Sequence, residues 1–375
     1  MNRILPGQTI GIIGGGQLGR MMALAAKEAG FKIAVLDPAK NSPCGQVADI
    51  EITAAFDDRD ALKALADASD VITYEFENIN AEALEWLGEI SLIPQGSELI
   101  RITQNRRLEK EMLDRAKVPV ASYKIIENEQ ELYDKIETFG FPAVLKTLTG
   151  GYDGKGQVKL NSVEDLLEGE ALIKQHGPCV AESFVSFEKE ISVIVHRNSS
   201  GQTTTLPIAE NVHLNHILHE SIVPARLEPE VSRLAITLAL QIADAIELVG
   251  TLAVEMFVKD TGEIFVNELA PRPHNSGHFS IEACETSQFH QHIRAICNWP
   301  LKSTALIKPV VMVNVLGQHV EPVVESIGRY ANWSIHLYGK EQPKENRKMG
   351  HVTIMTANIN ETLNQINASQ IWKTT

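Results

Sequence analysis

Apolar runs and amphipathic stretches alternate through the first hundred residues. Thr9–Ile13 and Lys32–Leu36 are short apolar runs of the kind that buried strands show, and Leu18–Ala29 between them carries apolar residues at helical spacing. A strand, a glycine-rich turn, a helix and a second strand in this order form a βαβ unit, the building block of an open parallel sheet. The pattern therefore predicts a Rossmann-like α/β domain over residues 1–100.

A different pattern follows, with short β-rich runs and longer helical stretches. Thr103 is predicted as the N-cap of a polar helix over Gln104–Ala116, and Val231–Val249 is predicted as a buried amphipathic helix. The order of elements predicts three units: residues 1–100, a mixed α+β unit over 101–305 with a glycine flap at 150–157, and a small β-rich unit over 306–375. Strands after residue 100 are predicted at Ala143–Thr147, Gln157–Leu160, Val180–Phe184, Ile191–His196, Thr204–Ile208, Leu252–Val258, Glu263–Leu269, Val310–Leu316, Ser334–Tyr338 and His351–Thr356.

Composition and charge narrow the class of protein. Hydrophobic residues make up 44% of the chain and charged residues 22%, as in ordinary globular proteins. The net charge of −14 argues against a nucleic-acid partner, because phosphate neutralisation requires a basic surface. The most apolar stretch, Val231–Val249, is interrupted by charged side chains, so no membrane span is predicted. Scattered cysteines without a C-x-x-C pair favour a reduced, cytoplasmic compartment: Cys44, Cys179, Cys284 and Cys297.

The first glycine-rich loop, Gly14–Gly19, has the sequence GGGQLG and matches G-x-G-x-x-G between a strand and a helix. Such a loop lets backbone N–H groups approach a phosphate at the N-terminus of the helix. Asp37 lies about where an acid that binds a ribose would be found. On this segment alone a nicotinamide-dependent dehydrogenase is an alternative, and so is a tight turn that binds nothing.

The second loop, Gly150–Gly156, has four glycines in seven residues. Glycines at this density cost backbone entropy, so a tight turn alone explains them poorly. A mobile flap over a triphosphate accounts for both the flexibility and the N–H donors. Lys146, which ends the preceding strand, would supply a positive charge for a phosphate. The alternative is a plain flexible hairpin.

Two acids are predicted to hold a metal ion. Glu255 and Glu268 lie within two predicted strands that are neighbours along the chain. Adjacent antiparallel strands can bring two carboxylates together, and Mg²⁺ prefers a few carboxylate oxygens with phosphates and waters. The alternative is a pair of solvent-facing acids, but apolar strand residues surround both, which is unfavourable without a counter-charge.

Cations gather in two later segments. Pro271–His278 reads PRPHNSGH, where prolines fix the backbone and Arg272 and His274 offer hydrogen-bonding groups. A second cluster near the C-terminus holds Lys344, Arg347 and Lys348. Arg and Lys are the usual ligands of phosphate groups, so a phosphate site is predicted, with a solvated loop as the alternative.

Taken together, Lys146, the flap, the segment Glu182–Val185 with Glu190, and Asn267-Glu268 resemble the ATP-grasp superfamily. More narrowly, GGGQLGRM, TYEFENI, GGYDGKGQ, NELAPRPHNSGH and RKMGH resemble the 5-(carboxyamino)imidazole ribonucleotide synthetases of purine biosynthesis, over nearly the whole chain. The resemblance implies an ATP-grasp fold between a Rossmann-like N-terminal domain and a small C-terminal β-rich domain. It also implies an ATP-dependent C–N ligase whose substrates are ATP, bicarbonate and aminoimidazole ribonucleotide, with Mg²⁺ as cofactor, and it implies a homodimer.

The resemblance also implies roles for individual residues. Glu182 and Val185 would read the adenine, Glu190 would bind the ribose, and Glu255 with Glu268 would hold Mg²⁺. Asp153 would take the amine proton while Tyr152 and Lys348 position the reacting groups. Residues implied at the ATP site are Arg106, Lys146, Gly151, Tyr152, Asp153, Gly154, Lys155, Gly156, Gln157, Glu182, Ser183, Phe184, Val185, Glu190, His213, Asn267 and Glu268. Those implied at the second substrate are Gln17, Leu18, Glu75, Arg272, His274, Lys344, Arg347 and Lys348.

Two positions depart from the pattern of the superfamily. Arg106 stands where many ATP-grasp enzymes have lysine, and Ala270 stands where many relatives carry a metal-binding asparagine, which limits the predicted metal ligands to two. Three alternatives stay open: another ATP-grasp ligase such as a formate-dependent glycinamide ribonucleotide transformylase, the dehydrogenase, and a non-catalytic nucleotide-sensing module.

Overall fold

The N-terminal part of the chain is a parallel sheet in the computed structural model, which describes residues 2–151 and 155–373. The strand order is β3-β2-β1-β4, and β1 and β2 are buried along almost their whole length. Burial on both faces is why these strands read as continuous apolar runs. The Rossmann-like prediction is confirmed. The elements are β1 Thr9–Ile13, α1 Gln17–Glu28, β2 Lys32–Asp37, β3 Ile50–Thr53, α2 Arg59–Asp67, β4 Val71–Tyr74 and α3 Ala81–Ile90.

Two short helices, α4 at Glu98–Thr103 and α5 at Arg106–Arg115, lead out of this sheet. The predicted cap at Thr103 is wrong, because its hydroxyl donates back to the Leu99 carbonyl inside α4. The side chain of Asn105 caps α5 instead, accepting from the backbone N–H of Arg107 at 3.0 Å. As a consequence, Arg106 is the first residue of α5.

A small antiparallel sheet follows, with strand order β5-β8-β6-β7. One face is covered by α6 and α7, and Leu132, Leu145 and Leu160 are fully buried between the two layers. Its elements are β5 Tyr123–Ile126, α6 Glu129–Phe139, β6 Ala143–Thr147, β7 Gln157–Leu160, α7 Leu166–His176 and β8 Cys179–Ser183.

The remaining strands join into one large antiparallel sheet, nine-stranded over the described residues. Its order is β14-β13-β9-β11-β12-β15-β17-β16, with β10 paired to β9. Its elements are β9 Lys189–Arg197, β10 Thr203–Thr205, β11 Ala209–Leu214, β12 Ile217–Val223, α8 Pro229–Ala245, β13 Gly250–Val258, β14 Ile264–Ala270, α9 Ser280–Ala283, α10 Gln288–Ile296, β15 Val310–Leu316, α11 Val320–Ser326, β16 Ser334–Leu337, β17 Lys348–Met355 and α12 Ile359–Ser369.

This sheet runs across the predicted boundary at residues 305/306, because β12 pairs with β15 from Glu220↔Val313 to Val223↔Val310. The C-terminal strands therefore extend the sheet that carries β13 and β14. The division into 1–100, 101–305 and 306–375 stays a prediction. Among the described residues, no helix is long and apolar enough to cross a bilayer.

Helix α8 packs on the large sheet with a stripe of buried residues at helical spacing, Ala235, Leu238, Ala239, Ile242 and Ala243. They contact buried strand residues that include Val193 and Val254. This core supports the part of the sheet from which the acids of β13 and β14 project.

Leu238→Ala should lower the free energy of unfolding by about 2–5 kcal/mol, since it removes a side chain from this core and leaves a cavity. Leu234 lies one turn earlier on α8 and is 43% exposed, against 5% for Leu238. Leu234→Ala should therefore change stability by no more than about 0.5 kcal/mol. Denaturant unfolding of both variants measures the difference, and equal losses would contradict this packing.

Candidate active site

The small sheet and the large sheet face each other across a cavity of about 720 Å³. Helix α5 and the segment that follows β14 complete its wall. The structure thus brings together side chains that lie far apart in sequence. The predicted site residues that line the cavity are Arg106, Lys146, Lys155, Gln157, Glu182, Ser183, Phe184, Val185, Glu190, His213, Glu255, Asn267, Glu268, Arg272, His274 and Lys348.

A buried carboxylate between two lysines occupies the side of the cavity formed by the small sheet. Glu182 Oε2 lies 2.9 Å from Lys146 Nζ, and Glu182 Oε1 lies 3.3 Å from Lys110 Nζ. Burial alone would raise the pKa of Glu182, but the two ammonium groups outweigh it and lower the pKa to about 2. Glu182 therefore stays ionised and holds Lys146 at the cavity wall, where a phosphate can reach it.

Apolar side chains from both sheets form a slot beside this cluster. Phe187 and Phe257 stack with ring centroids 4.4 Å apart and an interplanar angle of 5°. Val144 and Phe265 also line the cavity. A flat aromatic ring fits such a slot, with residues 182–185 at its edge.

Glu190 and His213 form a pair on the large sheet. The His213 Nδ1 and Glu190 Oε2 atoms are 2.8 Å apart. Burial lowers the pKa of His213, but the hydrogen bond and charge of Glu190 raise it by more. His213 thus orients a carboxylate that is suited to bind ribose hydroxyls.

Glu255 and Glu268 are direct cross-strand partners in the register of β13 and β14. Burial raises the pKa of Glu255 to about 7, and the charge of Glu268 adds to the effect. His274 Nε2 lies 3.2 Å from Glu255 Oε1. The pair thus concentrates negative charge at the cavity, and a divalent cation would offset it.

The fit to Mg²⁺ can be judged from this donor set. No group of three or more His, Cys, Asp or Glu side chains with metal-binding geometry occurs in the described ranges. Mg²⁺ nevertheless usually keeps waters and binds phosphate oxygens beside one or two carboxylates. Two carboxylates that open onto the cavity therefore fit this ion.

The segment after β14 is tied to the N-terminal unit through Arg272. Its guanidinium makes a bidentate pair with Glu77, with Nε and Nη2 at 2.8 and 2.9 Å from the two carboxylate oxygens. Bidentate pairs fix geometry as well as charge. Arg272 is therefore oriented by a residue from another unit of the fold.

The first glycine loop binds carboxylates of its own chain. The backbone N–H groups of Gly16 and Gly19 each donate to Glu75 at 2.7 Å, and that of Gly15 donates to Asp37 at 2.6 Å. A side chain at Gly16 would come within 2.3 Å of Glu75 Oε1. The glycines are thus explained by the close approach of internal acids, which occupy the donors that a dinucleotide would need.

Several other predicted residues do not line the cavity. Gln17 begins α1 and the side chain of Leu18 is buried in the N-terminal core, while Glu75 binds the glycine loop. Lys344 and Arg347 are exposed, and Arg347 donates to the Gln342 carbonyl at 3.1 Å. Within the C-terminal basic cluster, the side chain that lines the cavity is Lys348.

The flap is described on both sides of a gap. Gly151 and Gly156 flank the cavity without lining it, and the Gly156 carbonyl accepts from the Thr147 N–H at 2.9 Å. Lys155 and Gln157 line the wall. The predicted residues Tyr152, Asp153 and Gly154 lie outside the described residues.

Comparison with known proteins agrees with this architecture. The ATP-grasp domain family matches residues 111–289, the ribonucleotide synthetase preATP-grasp domain matches 7–104, and the phosphoribosylaminoimidazole carboxylase C-terminal domain matches 310–365. The N5-carboxyaminoimidazole ribonucleotide synthase of Bacillus subtilis (strain 168) is 53% identical over 363 residues, which cover 97% of this chain and 95% of that protein.

The chain belongs to the N5-carboxyaminoimidazole ribonucleotide synthase family.

Solved structures give the same assignment. An ADP complex of an N5-carboxyaminoimidazole ribonucleotide synthetase has a TM-score of 0.97 and 58% identity, covering 99% of this chain and 98% of that one. The Aspergillus clavatus N5-carboxyaminoimidazole synthase, in complex with ADP and 5-aminoimidazole ribonucleotide, has a TM-score of 0.90 and 32% identity, covering 97% of each chain. Membership in this synthase family makes the chain an ATP-dependent C–N ligase. It excludes the dehydrogenase, the transformylase and the non-catalytic module.

Sequence reasoning missed several residues of the site. Lys110 lines the cavity, and both it and its neighbour Glu109 are almost fully buried, although α5 reads as a polar helix. Their burial could have been inferred from helical spacing, because Met112 and Leu113 lie three and four residues after Glu109 on the same buried side of α5. The position of Glu77 could also have indicated a role in the site, since it comes two residues after Glu75 in the segment that follows β4.

Lys110→Met should lower the free energy of unfolding by about 3 kcal/mol, at the low end for a broken buried pair because Lys146 still faces Glu182. Lys124→Met removes an exposed lysine from β5 and should have little effect. The triple variant Lys110→Met, Lys146→Met and Glu182→Leu should regain most of the loss, since all three charged members of the cluster are then removed together. Denaturant unfolding measures all three, and a single-variant loss as small as that of Lys124→Met would refute the buried pair.

Proposed function

We propose that this chain uses ATP to carboxylate the exocyclic amine of 5-aminoimidazole ribonucleotide with bicarbonate, giving 5-(carboxyamino)imidazole ribonucleotide, ADP and phosphate. The observation that carries the proposal is a single cavity lined by Lys146 and Glu182 on one side and by Arg272, His274 and Lys348 on the other. The relatives named above act, by their names, in the same reaction.

The nucleotide is proposed to bind between the two sheets. The adenine would enter the slot beside Phe187 and Phe257, and Glu190 would accept from the ribose hydroxyls. Lys146, Arg106 and the flap N–H groups would face the phosphates. Glu182 supports this arrangement by holding Lys146 in place.

Bicarbonate is a poor electrophile and must first gain a leaving group. Its oxygen attacks the γ-phosphorus of ATP, the bond to the β-phosphate breaks, and ADP leaves carboxyphosphate behind. Lys146 and Arg106 offset the negative charge of the transferring phosphoryl group. Mg²⁺, held by Glu255 and Glu268, would supply further charge stabilisation when bound.

Carboxyphosphate then releases phosphate and carbon dioxide, and the exocyclic amine forms the new C–N bond to that carbon. From the sequence we propose Asp153 as the acceptor of the amine proton, with Tyr152 and Lys348 as positioning groups. Closure of the flap would exclude water, which would otherwise hydrolyse the intermediate.

The acceptor is proposed to bind next to Lys348, Arg272 and His274. From the resemblance alone, its phosphate is proposed to meet the cations Lys344, Arg347 and Lys348, of which Lys348 lines the cavity. The resemblance likewise assigns Gln17, Leu18 and Glu75 to its imidazole and ribose side, although they lie outside the lining of the cavity. We also propose a homodimer, from the resemblance alone. A cytoplasmic location is supported by four buried cysteines that are all free thiols.

ADP release should require both bicarbonate and 5-aminoimidazole ribonucleotide for full rate. A coupled assay with a panel of phosphorylated amines measures this requirement. Equal turnover with formate and glycinamide ribonucleotide would overturn the assignment of the acceptor.

Glu268→Gln should lower kcat by at least about tenfold, because a metal ion in phosphoryl transfer contributes several kcal/mol and one of its negative ligands is lost. High Mg²⁺ should restore part of the rate. Glu263→Gln is the matched control, since Glu263 lies exposed in the same hairpin and pairs with Lys259. A wild-type rate and wild-type Mg²⁺ dependence in Glu268→Gln would remove its metal role.

A further inference from the structure

A row of buried polar side chains connects the large sheet to the segment that carries Arg272. His196 Nδ1 on β9 lies 2.8 Å from Thr251 Oγ1 on β13, which lies 3.1 Å from His292 Nδ1 on α10. His292 Nε2 lies 2.8 Å from Thr73 Oγ1 on β4. His196, Thr251, His292 and Thr73 are fully buried.

The row ends at the backbone of Pro271. Thr73 Oγ1 is 2.5 Å from Gln95 Oε1, and Gln95 Nε2 donates to the Pro271 carbonyl at 3.3 Å. The N-terminal unit and the unit that follows it therefore meet in one continuous hydrogen-bonded chain. Its last acceptor belongs to the residue directly before Arg272.

The donor and the acceptor of every hydrogen bond in this row follow from its last member, the Pro271 carbonyl. The Pro271 carbonyl can only accept, so the Gln95 amide must present its nitrogen to Pro271 and its oxygen to Thr73. That oxygen also only accepts, so the single Thr73 hydroxyl proton points to Gln95. Thr73 Oγ1 must then accept from His292 Nε2–H.

The same logic continues into the large sheet. A neutral His292 that is protonated on Nε2 has an accepting Nδ1, so the Thr251 hydroxyl donates to it. Thr251 Oγ1 then accepts from His196 Nδ1–H. Burial lowers the pKa of both histidines to about 3, which keeps them neutral. In all five hydrogen bonds the donor lies on the His196 side and the acceptor on the Pro271 side. Hydrogen bonds aligned in this manner strengthen one another.

We propose that Thr73 and Gln95 are positioning residues that hold the Pro271-Arg272 backbone so that Arg272 meets the acceptor substrate. The side chain of Arg272 is already fixed by Glu77, which lies four residues after Thr73 in the same segment. Backbone and side chain of one cavity residue are thus both tied to the strand-β4 segment. The inference rests on the proposed function, because it assigns Arg272 to the acceptor.

Thr73→Val tests the role, since valine keeps the shape and removes the hydroxyl that links His292 to Gln95. KM for 5-aminoimidazole ribonucleotide should rise on the order of tenfold, because a small misplacement of a positioning group has effects of this size. The Kd for ADP should stay within about twofold, since the nucleotide side of the cavity is untouched. Thr73→Ser, which restores the hydroxyl, should return KM to within about threefold of wild type.

Thr353→Val is the matched control. Thr353 is a buried threonine of β17 whose hydroxyl has no hydrogen-bond partner among the described residues. It should leave both constants unchanged. An unaltered KM in Thr73→Val, equal impairment in Thr73→Ser, or a parallel loss of ADP affinity would overturn the positioning role.

A spectroscopic measurement tests the hydrogen-bonded row of side chains without measuring turnover. In ¹⁵N-histidine-labelled wild-type protein, His292 should carry its proton on Nε2 and His196 on Nδ1, assigned with His292→Gln and His196→Gln. The opposite tautomers would contradict the proposed directions of the hydrogen bonds between His196 and Pro271. Absence of acceptor-dependent ADP release in the wild type would instead count against the proposed function.

Discussion

A carboxylate that is removed from water needs a positive charge or several N–H donors beside it, and this requirement organises the whole site. Glu182 meets two lysines, Glu77 meets the guanidinium of Arg272, and Glu190 meets His213. Glu75 receives two backbone N–H groups instead. Each partner comes from a different element, so the pairs fix the elements to one another as well as their own charges.

Glu255 departs from this rule, because its cross-strand neighbour is a second carboxylate, that of the exposed Glu268. Two carboxylates face each other across β13 and β14, and the nearest counter-group to Glu255 is the imidazole of His274. The raised pKa of Glu255 reflects burial and the charge of its neighbour. Mg²⁺ usually binds one or two carboxylates beside phosphate oxygens and waters, so this arrangement fits such an ion.

In the N-terminal unit, a glycine-rich motif that can bind a phosphate binds two acids of its own chain instead. A G-x-G-x-x-G loop before a helix offers N–H donors at the positive end of the helix dipole. In this chain Asp37 and Glu75 take those donors, so the loop binds the acids that follow β2 and β4. The segment after β4 then continues to Glu77, which reaches Arg272 across the boundary between units.

Local features of this protein could be predicted from its amino-acid sequence. Apolar runs predicted β1, β2, β6, β13 and β14, because strand and helix periods are properties of near neighbours. The proximity of Glu255 and Glu268 could also be predicted, since they share one hairpin whose register follows from a short turn. Strands β3, β5, β11 and β12 were not predicted, because each is either four residues long or interrupted by polar side chains.

Partners that lie far apart along the chain could not be predicted, because they are brought together by the packing of whole elements. Arg272 and Glu77 are separated by 195 residues, and Thr73 and His292 by 219. Periodicity shows that a side chain is buried or faces one side of an element, but not which element will cover it. Lys110 therefore reads as one more charge on a polar helix until the small sheet places Glu182 beside it. The packing of sheets, and the need to pair each buried charge, selects those partners.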